Sequence, residues 1–263
     1  MAYSNFSFDV QAHVARITIE RPTAYNALNL DAMKELCDIV NRCGSDRRVR
    51  AVVITGSGVK AFCAGGDVAS FATNAETVDL LIKEMTGLFH MAISRLAWME
   101  APVLAAINGV AAGAGLSLAA ACDLAVAADH ATFTSAYANV GLSPDGSSSW
   151  FLPRLLGRRR TMELYLTPRI LDAAEALEWG LINRVVAQAD FENEIDKLAG
   201  QLASGPTRAY GGAKKLVMMS FNDSLESQME RETRQIAELA MSRDGLEGAR
   251  AFVEKRRPAF GGQ

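Results

Sequence analysis

The sequence predicts an α/β fold whose chain ends in an all-helical segment. Three observations support this prediction: a strand, a helix and a second strand within the first 55 residues, a strand–turn–helix unit at residues 101–128, and mainly helical patterns from Leu171 onward. The composition changes at Gly205-Pro206. We therefore expect an α/β core at residues 1–204 and a helical segment at residues 205–263.

The first elements follow from periodicity. Ala15, Ile17 and Ile19 alternate with polar residues, which is typical of a half-buried strand. Asn29 is a suitable helix N-cap, and apolar residues at helical spacing follow it as far as Cys43. Residues 50–55 form the next apolar run, so we expect a second strand there.

The stretch from Ala101 to Ala128 organises the chain. Val103–Ile107 predicts a buried strand, a turn follows, and a helix of small residues begins after Gly113 and ends near Ala121. The first N–H groups of a helix lack partners, and small side chains let a ligand oxygen approach them. A membrane span and a purely structural packing unit are the alternatives. Proline and glycine interruptions argue against the span.

Two further segments contain candidate polar groups. Loop 56–67, GSGVKAFCAGGD, lacks the Gly-Lys-Ser/Thr ending of a P-loop, and residues 109–115 lack the GxGxxG dinucleotide pattern. An amphipathic helix at residues 81–96 contains His90, whose ordinary interpretation is a helix histidine. Residues 141–149 form a turn that contains Asp145. Asp145 either caps the following helix or performs chemistry.

The C-terminal part predicts four helical features. A helix runs from Asp172, its cap, to Gly180, and another occupies residues 191–203. A capping-box pattern from Asp223 to Glu226 predicts a helix that reaches residue 242, and a last helix follows at residues 245–255.

The bulk composition excludes several classes. A net charge of −3 and a pI near 5.7 argue against nucleic acid or an anionic membrane as partners. The basic run 158–160 is expected to be a solvated face. Four cysteines without a CxxC pair and three scattered histidines indicate no metal site. No secretory signal is visible, so we expect a cytoplasmic location.

Two motifs together, AFCAGGD at 61–67 and NGVAAGAG at 108–115, resemble those of the crotonase superfamily, also called the enoyl-CoA hydratase/isomerase family. The resemblance covers nearly the whole chain. It implies a spiral of ββα units with a C-terminal helical segment, assembled as homotrimers or dimers of trimers. It also implies acyl-CoA thioester substrates and no separate cofactor, since coenzyme A is part of the substrate.

The resemblance assigns site residues by position. The N–H groups of Ala64 and Ala114 would hold the thioester oxygen in an oxyanion hole, a role in which one donor contributes about 3 kcal/mol to the barrier reduction. Phe252 and Lys255 would close the CoA pocket of a neighbouring subunit, although Phe252 could instead be a buried helix anchor. Asp67 could be structural. The residues expected to contact substrate or coenzyme A are Thr23, Ala24, Tyr25, Ala61, Phe62, Gly65, Gly66, Asp67, Gly113, Ser117, Tyr137, Phe252 and Lys255.

The sequence departs from the hydratase pattern at two positions. Hydratases of this family carry two glutamates where this chain has Ser117 and Tyr137. Neither residue can act as a carboxylate base. The loop around Asp145 is instead similar to that of the 1,2-epoxyphenylacetyl-CoA isomerase and Δ3,Δ2-enoyl-CoA isomerase branch, in which an aspartate occupies the same loop.

The leading hypothesis is therefore an acyl-CoA isomerase with Asp145 as acid and base. The alternatives are an aryl-CoA dehalogenase or hydrolase with Asp145 as nucleophile and His90 nearby, a hydratase in which Asp145 activates water, and a non-catalytic binding protein. An aromatic-sized acyl pocket could draw its lining from the rings at Phe71, Trp98, Tyr137 and Trp150.

Overall fold

The computed structural model describes residues 3–167 and 169–263. Within them, ten strands form a six-stranded and a four-stranded sheet. The strands are β1 (Phe6–Gln11), β2 (Val14–Ile19), β3 (Ala51–Gly56), β4 (Ala61–Cys63), β5 (Val103–Ile107), β6 (Val110–Ala112), β7 (Leu124–Ala128), β8 (Thr132–Thr134), β9 (Leu171–Asp172) and β10 (Arg184–Val186).

From β3 to β8, successive strands alternate between the two sheets. The larger sheet has the order β1-β2-β3-β5-β7-β10 and the smaller one β4-β6-β8-β9. Each of the pairs β3–β4, β5–β6 and β7–β8 gives its first strand to the large sheet and its second to the small sheet. All neighbouring strands are parallel except β1–β2 and β8–β9. This arrangement is a spiral of ββα units, as the resemblance implied.

Ten α-helices complete the described part of the chain. They are α1 (Leu30–Ser45), α2 (Val68–Thr73), α3 (Val78–Trp98), α4 (Ala114–Ala121), α5 (Ser148–Leu166), α6 (Ala173–Trp179), α7 (Phe191–Ser204), α8 (Thr207–Ser220), α9 (Leu225–Ala240) and α10 (Arg243–Val253). None of the helices in the described residues is both long and apolar enough to cross a membrane.

The large sheet is buried on both faces. On one face Val52, Ile54 and Ile107 join the main core cluster with α1, α3 and α4. On the other face Val53 and Leu104 pack against Phe191 and Ile195 of α7 and their neighbours. Burial on both faces explains why β5 is a continuous apolar run rather than an alternating one.

Several predicted helix ends are confirmed. Asn29 caps α1 by accepting a hydrogen bond from the Ala32 N–H at 2.9 Å. Asp172 caps α6 through the Glu175 N–H at 2.8 Å, and Gly180 ends it with φ +82°. The predicted box at Asp223 and Glu226 is wrong by one residue, because Ser224 is the cap and binds the N–H of Ser227.

The three-residue strands β4, β6 and β8 were not predicted, nor were β1 and helix α8. A strand of three residues is too short to show a period, so only its pairing in the sheet defines it. The expected boundary after residue 204 coincides with the end of α7 and stays a prediction. Helix α8 is tied to the core by Lys214, whose buried ammonium bonds Asp123 at 2.7 Å.

Candidate active site

A mainly apolar cavity of about 330 Å³ lies between two glycine-rich turns, the first half of α3 and the segment that leads to Asp145. Its volume is near the lower end of ligand pockets. Asp145 is the only acidic or basic side chain among the described residues that line it. The lining residues are Met33, Ala64, Gly65, Gly66, Val68, Phe71, Ile82, Met85, Thr86, Gly113, Ala114, Ala136, Tyr137, Val140, Leu142, Ser143 and Asp145.

The two turns meet because β4 and β6 are parallel neighbours, with Cys63 opposite Ala111. Gly65 follows β4 at φ +106°, and a Cβ there would lie only 3.0 Å from the Ala112 carbonyl oxygen. At Gly115 a Cβ would overlap the Cys63 carbonyl. Glycine at these positions therefore lets the two turns approach each other closely.

The Ala114 amide is available to a ligand. Ala114 is the first residue of α4, where backbone N–H groups have no helical partner. No acceptor for this N–H lies in the part of the chain that the structure describes. Because the helix start also carries a positive potential, an oxygen that gains negative charge is stabilised beside Ala114.

The Ala64 amide differs from the expectation. Its N–H donates to the carbonyl oxygen of Tyr25 at 3.0 Å. Tyr25 belongs to a turn with φ +51°, and the segment around it is bound to the Ala64 loop through Arg21, which forms an ion pair with Asp67 at 3.0 Å. A thioester oxygen at Ala64 must therefore share this proton with Tyr25 or displace the Tyr25 carbonyl.

Asp145 lies in the turn before α5, with its side chain on the cavity. Tyr137 Oη donates a hydrogen bond of 2.5 Å to Asp145 Oδ1. The backbone carbonyl of Asp145 accepts from Ser117 Oγ and Ser148 Oγ, both at 3.0 Å. The alternative that Asp145 caps the helix is wrong, since Ser147 occupies the cap position and Asp145 bonds Tyr137.

Tyr137 is a neutral donor in this pair. Burial raises the pKa of Tyr137 well above its ordinary value, and the negative charge of Asp145 and their hydrogen bond raise it further. The phenol therefore keeps its proton at neutral pH. Its ring lies beside the second turn, since a Cβ on Gly113 would be 3.9 Å from Tyr137 Cζ.

Ser117, at the position that the resemblance assigns to a hydratase glutamate, does not line the cavity. Its side chain is fully buried, and its hydroxyl lies 3.1 Å from Tyr137 Oη and 3.0 Å from the Asp145 carbonyl oxygen. A Cβ on Gly146 would be 2.7 Å from Ser117 Cβ. The Asp145 turn thus covers position 117 and leaves no room there for a larger acidic side chain.

His90 reaches the same turn from α3. Its Nε2 accepts a hydrogen bond from the Gly146 N–H at 3.1 Å. This contact requires an unprotonated Nε2, so the ring proton of neutral His90 is on Nδ1. His90 thus supports the turn beside Asp145, although its ring does not line the cavity.

Of the remaining predicted site residues, some line the cavity and others lie outside it. Gly65, Gly66 and Gly113 line it, whereas Thr23, Ala24 and Tyr25 form an adjacent turn outside it. Ala61 and Phe62 lie on β4 with buried side chains, and the Ala61 carbonyl accepts from Asn26 Nδ2 at 2.7 Å. Asp67 does not line the cavity and binds Arg21 instead.

Within a single chain, Phe252 of α10 and Lys255 do not line the cavity. Phe252 is 85% exposed, so the alternative of a buried anchor is wrong. Lys255 follows α10 at φ +52°, also exposed. Their expected role in a neighbouring subunit's CoA pocket stays a prediction.

Of the four aromatic candidates for an acyl pocket, Phe71 and Tyr137 line the cavity. Trp98 lines a different surface groove, and the Trp150 ring is covered by the Arg154 guanidinium at 3.8 Å. Sequence patterns did not single out Met33 and Met85, which close the cavity from α1 and α3. Their helical spacing marks them as inward-facing, but it does not distinguish a cavity wall from solid core.

Comparison with known proteins identifies the family. The sequence model of the enoyl-CoA hydratase/isomerase family matches residues 9–263. A probable enoyl-CoA hydratase of Rhodobacter capsulatus is 37% identical over 263 residues, all of both chains. The 4-chlorobenzoyl coenzyme A dehalogenase-2 of Arthrobacter sp is 41% identical over 224 residues, covering 85% of this chain and 81% of that protein. The 1,2-epoxyphenylacetyl-CoA isomerase of Escherichia coli is 35% identical over 262 residues, 97% of each chain.

A solved structure agrees with these matches. The enoyl-CoA hydratase from Bacillus anthracis superimposes with a TM-score of 0.92 at 32% identity, over 99% of this chain and 100% of that chain. The fold and the site thus define a crotonase-type enzyme. The chain belongs to the enoyl-CoA hydratase/isomerase family.

Proposed function

We propose that the protein is an acyl-CoA isomerase, which moves a double bond or rearranges an epoxide next to a CoA thioester. The observation that carries the proposal is that Asp145 is the single acidic or basic side chain among the described residues lining a cavity that also exposes the Ala114 amide. A 1,3-proton transfer on one face of a substrate needs one such group. Hydration needs a second group to hold and activate water.

In the proposed reaction the proton that leaves the α carbon returns to the γ carbon of the same substrate. Asp145 removes a proton from the carbon α to the thioester, and the electron pair moves onto the thioester oxygen. The Ala114 N–H stabilises this enolate oxygen, together with the Ala64 N–H once Tyr25 shares or releases it. The carbonyl then re-forms, the γ carbon takes the proton from Asp145, and the double bond ends between the α and β carbons.

The absence of a carboxylate at two positions supports isomerisation over hydration. Ser117 is covered by the Asp145 turn, and Tyr137 offers only a phenol, which donates its hydrogen bond to Asp145. The relatives point to both chemistries, since one is named a probable hydratase and another an isomerase. In our proposal the side chains of this site favour isomerisation.

The test offers the protein a 3-enoyl-CoA and crotonyl-CoA in parallel, with both followed by chromatography and mass detection. We expect the 3-enoyl-CoA to be converted to its 2-enoyl isomer. Crotonyl-CoA should gain no water, which would raise its mass by about 18 units. The 1,2-epoxyphenylacetyl thioester is then offered. Rapid hydration of crotonyl-CoA with no isomerisation would contradict the proposal.

A second candidate is nucleophilic chemistry at Asp145 on an aryl-CoA. Two observations favour it: His90 contacts the Asp145 turn, and the Arthrobacter dehalogenase is 41% identical over 224 residues. In that reaction the carboxylate attacks the ring carbon, halide leaves, and water hydrolyses the aryl ester. Release of chloride from 4-chlorobenzoyl-CoA and an arylated Asp145 detected by mass spectrometry would support it. Absence of both would exclude it.

We further propose that the chain assembles as a homotrimer or a dimer of trimers. Exposed apolar side chains on and directly after the C-terminal helices support self-association. Among them, Ile236 is 71% exposed, Met241 is 78% exposed and Phe252 is 85% exposed. Sedimentation equilibrium tests this directly. A monomer at all concentrations would contradict it, and Phe252→Glu is expected to weaken the assembly if α10 lies in the interface.

A further inference from the structure

Tyr137 and Asp145 form the closest polar contact in the cavity. Tyr137 Oη lies 2.5 Å from Asp145 Oδ1, and the two side chains come from opposite ends of one loop. No donor among the described residues reaches the other carboxylate oxygen, Oδ2. The two oxygens of Asp145 are therefore not equivalent: one is fixed by a phenol and the other is free to meet substrate.

The hydroxyl of Tyr137 is itself held in place. Ser117 Oγ lies 3.1 Å from it, and Ser117 also reaches the Asp145 carbonyl at 3.0 Å and the Gly113 carbonyl at 3.2 Å. Ser117 has a single proton, so it serves one of these acceptors at a time. The result is a buried chain of hydroxyl groups that runs from the start of α4 to the Asp145 carboxylate.

The backbone on both sides of this contact is strained. Ala136, directly before Tyr137, has φ +58°, and Ser147, two residues after Asp145, has φ +65°. Each such conformation costs about 1–3 kcal/mol for a residue other than glycine. The surrounding structure therefore enforces these turns, and both turns direct a side chain of the Tyr137–Asp145 pair into the cavity.

Resting on the isomerase function proposed above, we propose that Tyr137 is a positioning residue that fixes Asp145 so that Oδ2 is the oxygen that exchanges the proton with substrate. Ser117 in turn positions the Tyr137 hydroxyl. A carboxylate anchored at one oxygen loses its rotational freedom before the reaction begins, which lowers the entropic part of the barrier. The phenol also stabilises the charged carboxylate, which is the form that accepts a proton.

The test compares Tyr137→Phe and Ser117→Ala with Tyr3→Phe in the isomerase assay. Tyr3 is a matched control, because its hydroxyl also donates a 2.5 Å hydrogen bond to an aspartate, Asp38, on the surface. Loss of a hydrogen bond to a charged group predicts a fall in kcat of about 10- to 100-fold for Tyr137→Phe. KM should change less than about threefold, because substrate binding is retained.

Two further readouts separate positioning from folding. Ser117→Ala should lower kcat by a smaller factor, and Tyr3→Phe should match the parent in kcat and KM. Urea unfolding midpoints of all variants show whether each one is folded.

A kcat for Tyr137→Phe within twofold of the parent would overturn the positioning role while leaving the isomerase function intact. A parent protein that isomerises no 3-enoyl-CoA would overturn both. If Tyr137→Phe does not fold, 3-fluorotyrosine at position 137 keeps the shape and changes the acidity of the hydroxyl. An unchanged kcat in that protein would also overturn the role.

Discussion

The imidazole of His90 accepts a hydrogen bond of 3.1 Å from the backbone of Gly146, the residue after Asp145. The Asp145 turn is thus held from α3 by His90 and from α4 by Ser117, whose hydroxyl contacts the Asp145 carbonyl. Asp145 itself lies between these two supports and faces the cavity. Since no helix contains Asp145, its position depends on these contacts. Changes to the turn should therefore lower kcat.

Asp145→Asn removes the proposed acid and base with little change in volume. The amide cannot accept the α proton, so we expect kcat to fall by about 100- to 10,000-fold, the range typical of acid–base catalysis. KM should change little because the cavity wall is retained. Steady-state kinetics with a 3-enoyl-CoA measures both values.

Asp38→Asn is the matched control for this variant. Asp38 is a surface aspartate that also accepts a tyrosine hydrogen bond, and it lies outside the cavity lining. It should retain the activity of the parent. Near-full activity in Asp145→Asn would exclude an acid–base role for Asp145.

Gly146→Ala should distort the turn that contains Asp145. Gly146 has φ +59°, and a Cβ there would lie 2.5 Å from the Phe89 ring and 2.7 Å from Ser117 Cβ. Strain and overpacking together should lower the free energy of unfolding by about 2–4 kcal/mol. We also expect a clear loss of kcat, measured in the isomerase assay beside urea unfolding.

Gly141→Ala separates strain from steric overlap. Gly141 has φ +70°, but no atom of the described residues lies within 4 Å of a Cβ at that position. It should therefore cost only about 1–2 kcal/mol, the strain of the left-handed backbone. Equal losses in the two variants would mean that the overlap with Phe89 and Ser117 is relieved without cost.

Lys214→Met should destabilise the junction between α8 and the core. The side chain of Lys214 is 8% exposed, and its ammonium bonds Asp123 at 2.7 Å and donates to the carbonyls of Leu96 and Ala101 at 3.0 Å. Its loss leaves the Asp123 carboxylate, whose side chain is 25% exposed, and two carbonyls without this donor, which should cost about 2–3 kcal/mol of unfolding free energy.

Lys215→Met is the neighbouring control for that change. Lys215 is exposed and lies 4.0 Å from Glu100. An exposed ion pair contributes little, so the variant should stay within about 0.5 kcal/mol of the parent in urea unfolding. A similar cost for both lysines would contradict the assigned importance of burial.

The lowered pKa of Glu247 predicts that the free energy of unfolding depends on pH. The Arg256 side chain, and then the Ala259 N–H, lower the pKa of Glu247 to about 2 from an ordinary value of 4.5. Because the folded pKa is depressed, the contribution is present in full above the ordinary value and is lost as the pH falls toward 2. The unfolding free energies of the parent and Glu247→Gln should therefore converge over this window.

Chemical denaturation at several pH values and constant ionic strength measures this convergence. A difference between the parent and Glu247→Gln that stays constant from pH 5 to pH 2, roughly the interval between the two pKa values, would contradict the prediction.

Sequence patterns predicted those parts of the fold that are local. The strand that became β2 was found from the alternation of apolar and polar residues, and those that became β3 and β5 were found as short apolar runs. The caps Asn29 and Asp172 were found because they bind N–H groups only three residues away. The short strands were missed because only pairing with distant partners defines them. The cap of α9 was missed because two neighbouring residues, Asp223 and Ser224, are both suitable caps.

By itself the sequence singled out two small-residue turns and one loop aspartate as candidate site residues, because glycine, alanine and a lone acid in a loop are local signals, and the family resemblance assigned their expected roles. Only the tertiary structure decided what each group touches. It placed Tyr137 on Asp145, His90 on Gly146 and the Tyr25 carbonyl on the Ala64 amide. These contacts depend on left-handed turns and on packing between distant segments, which no periodic pattern encodes.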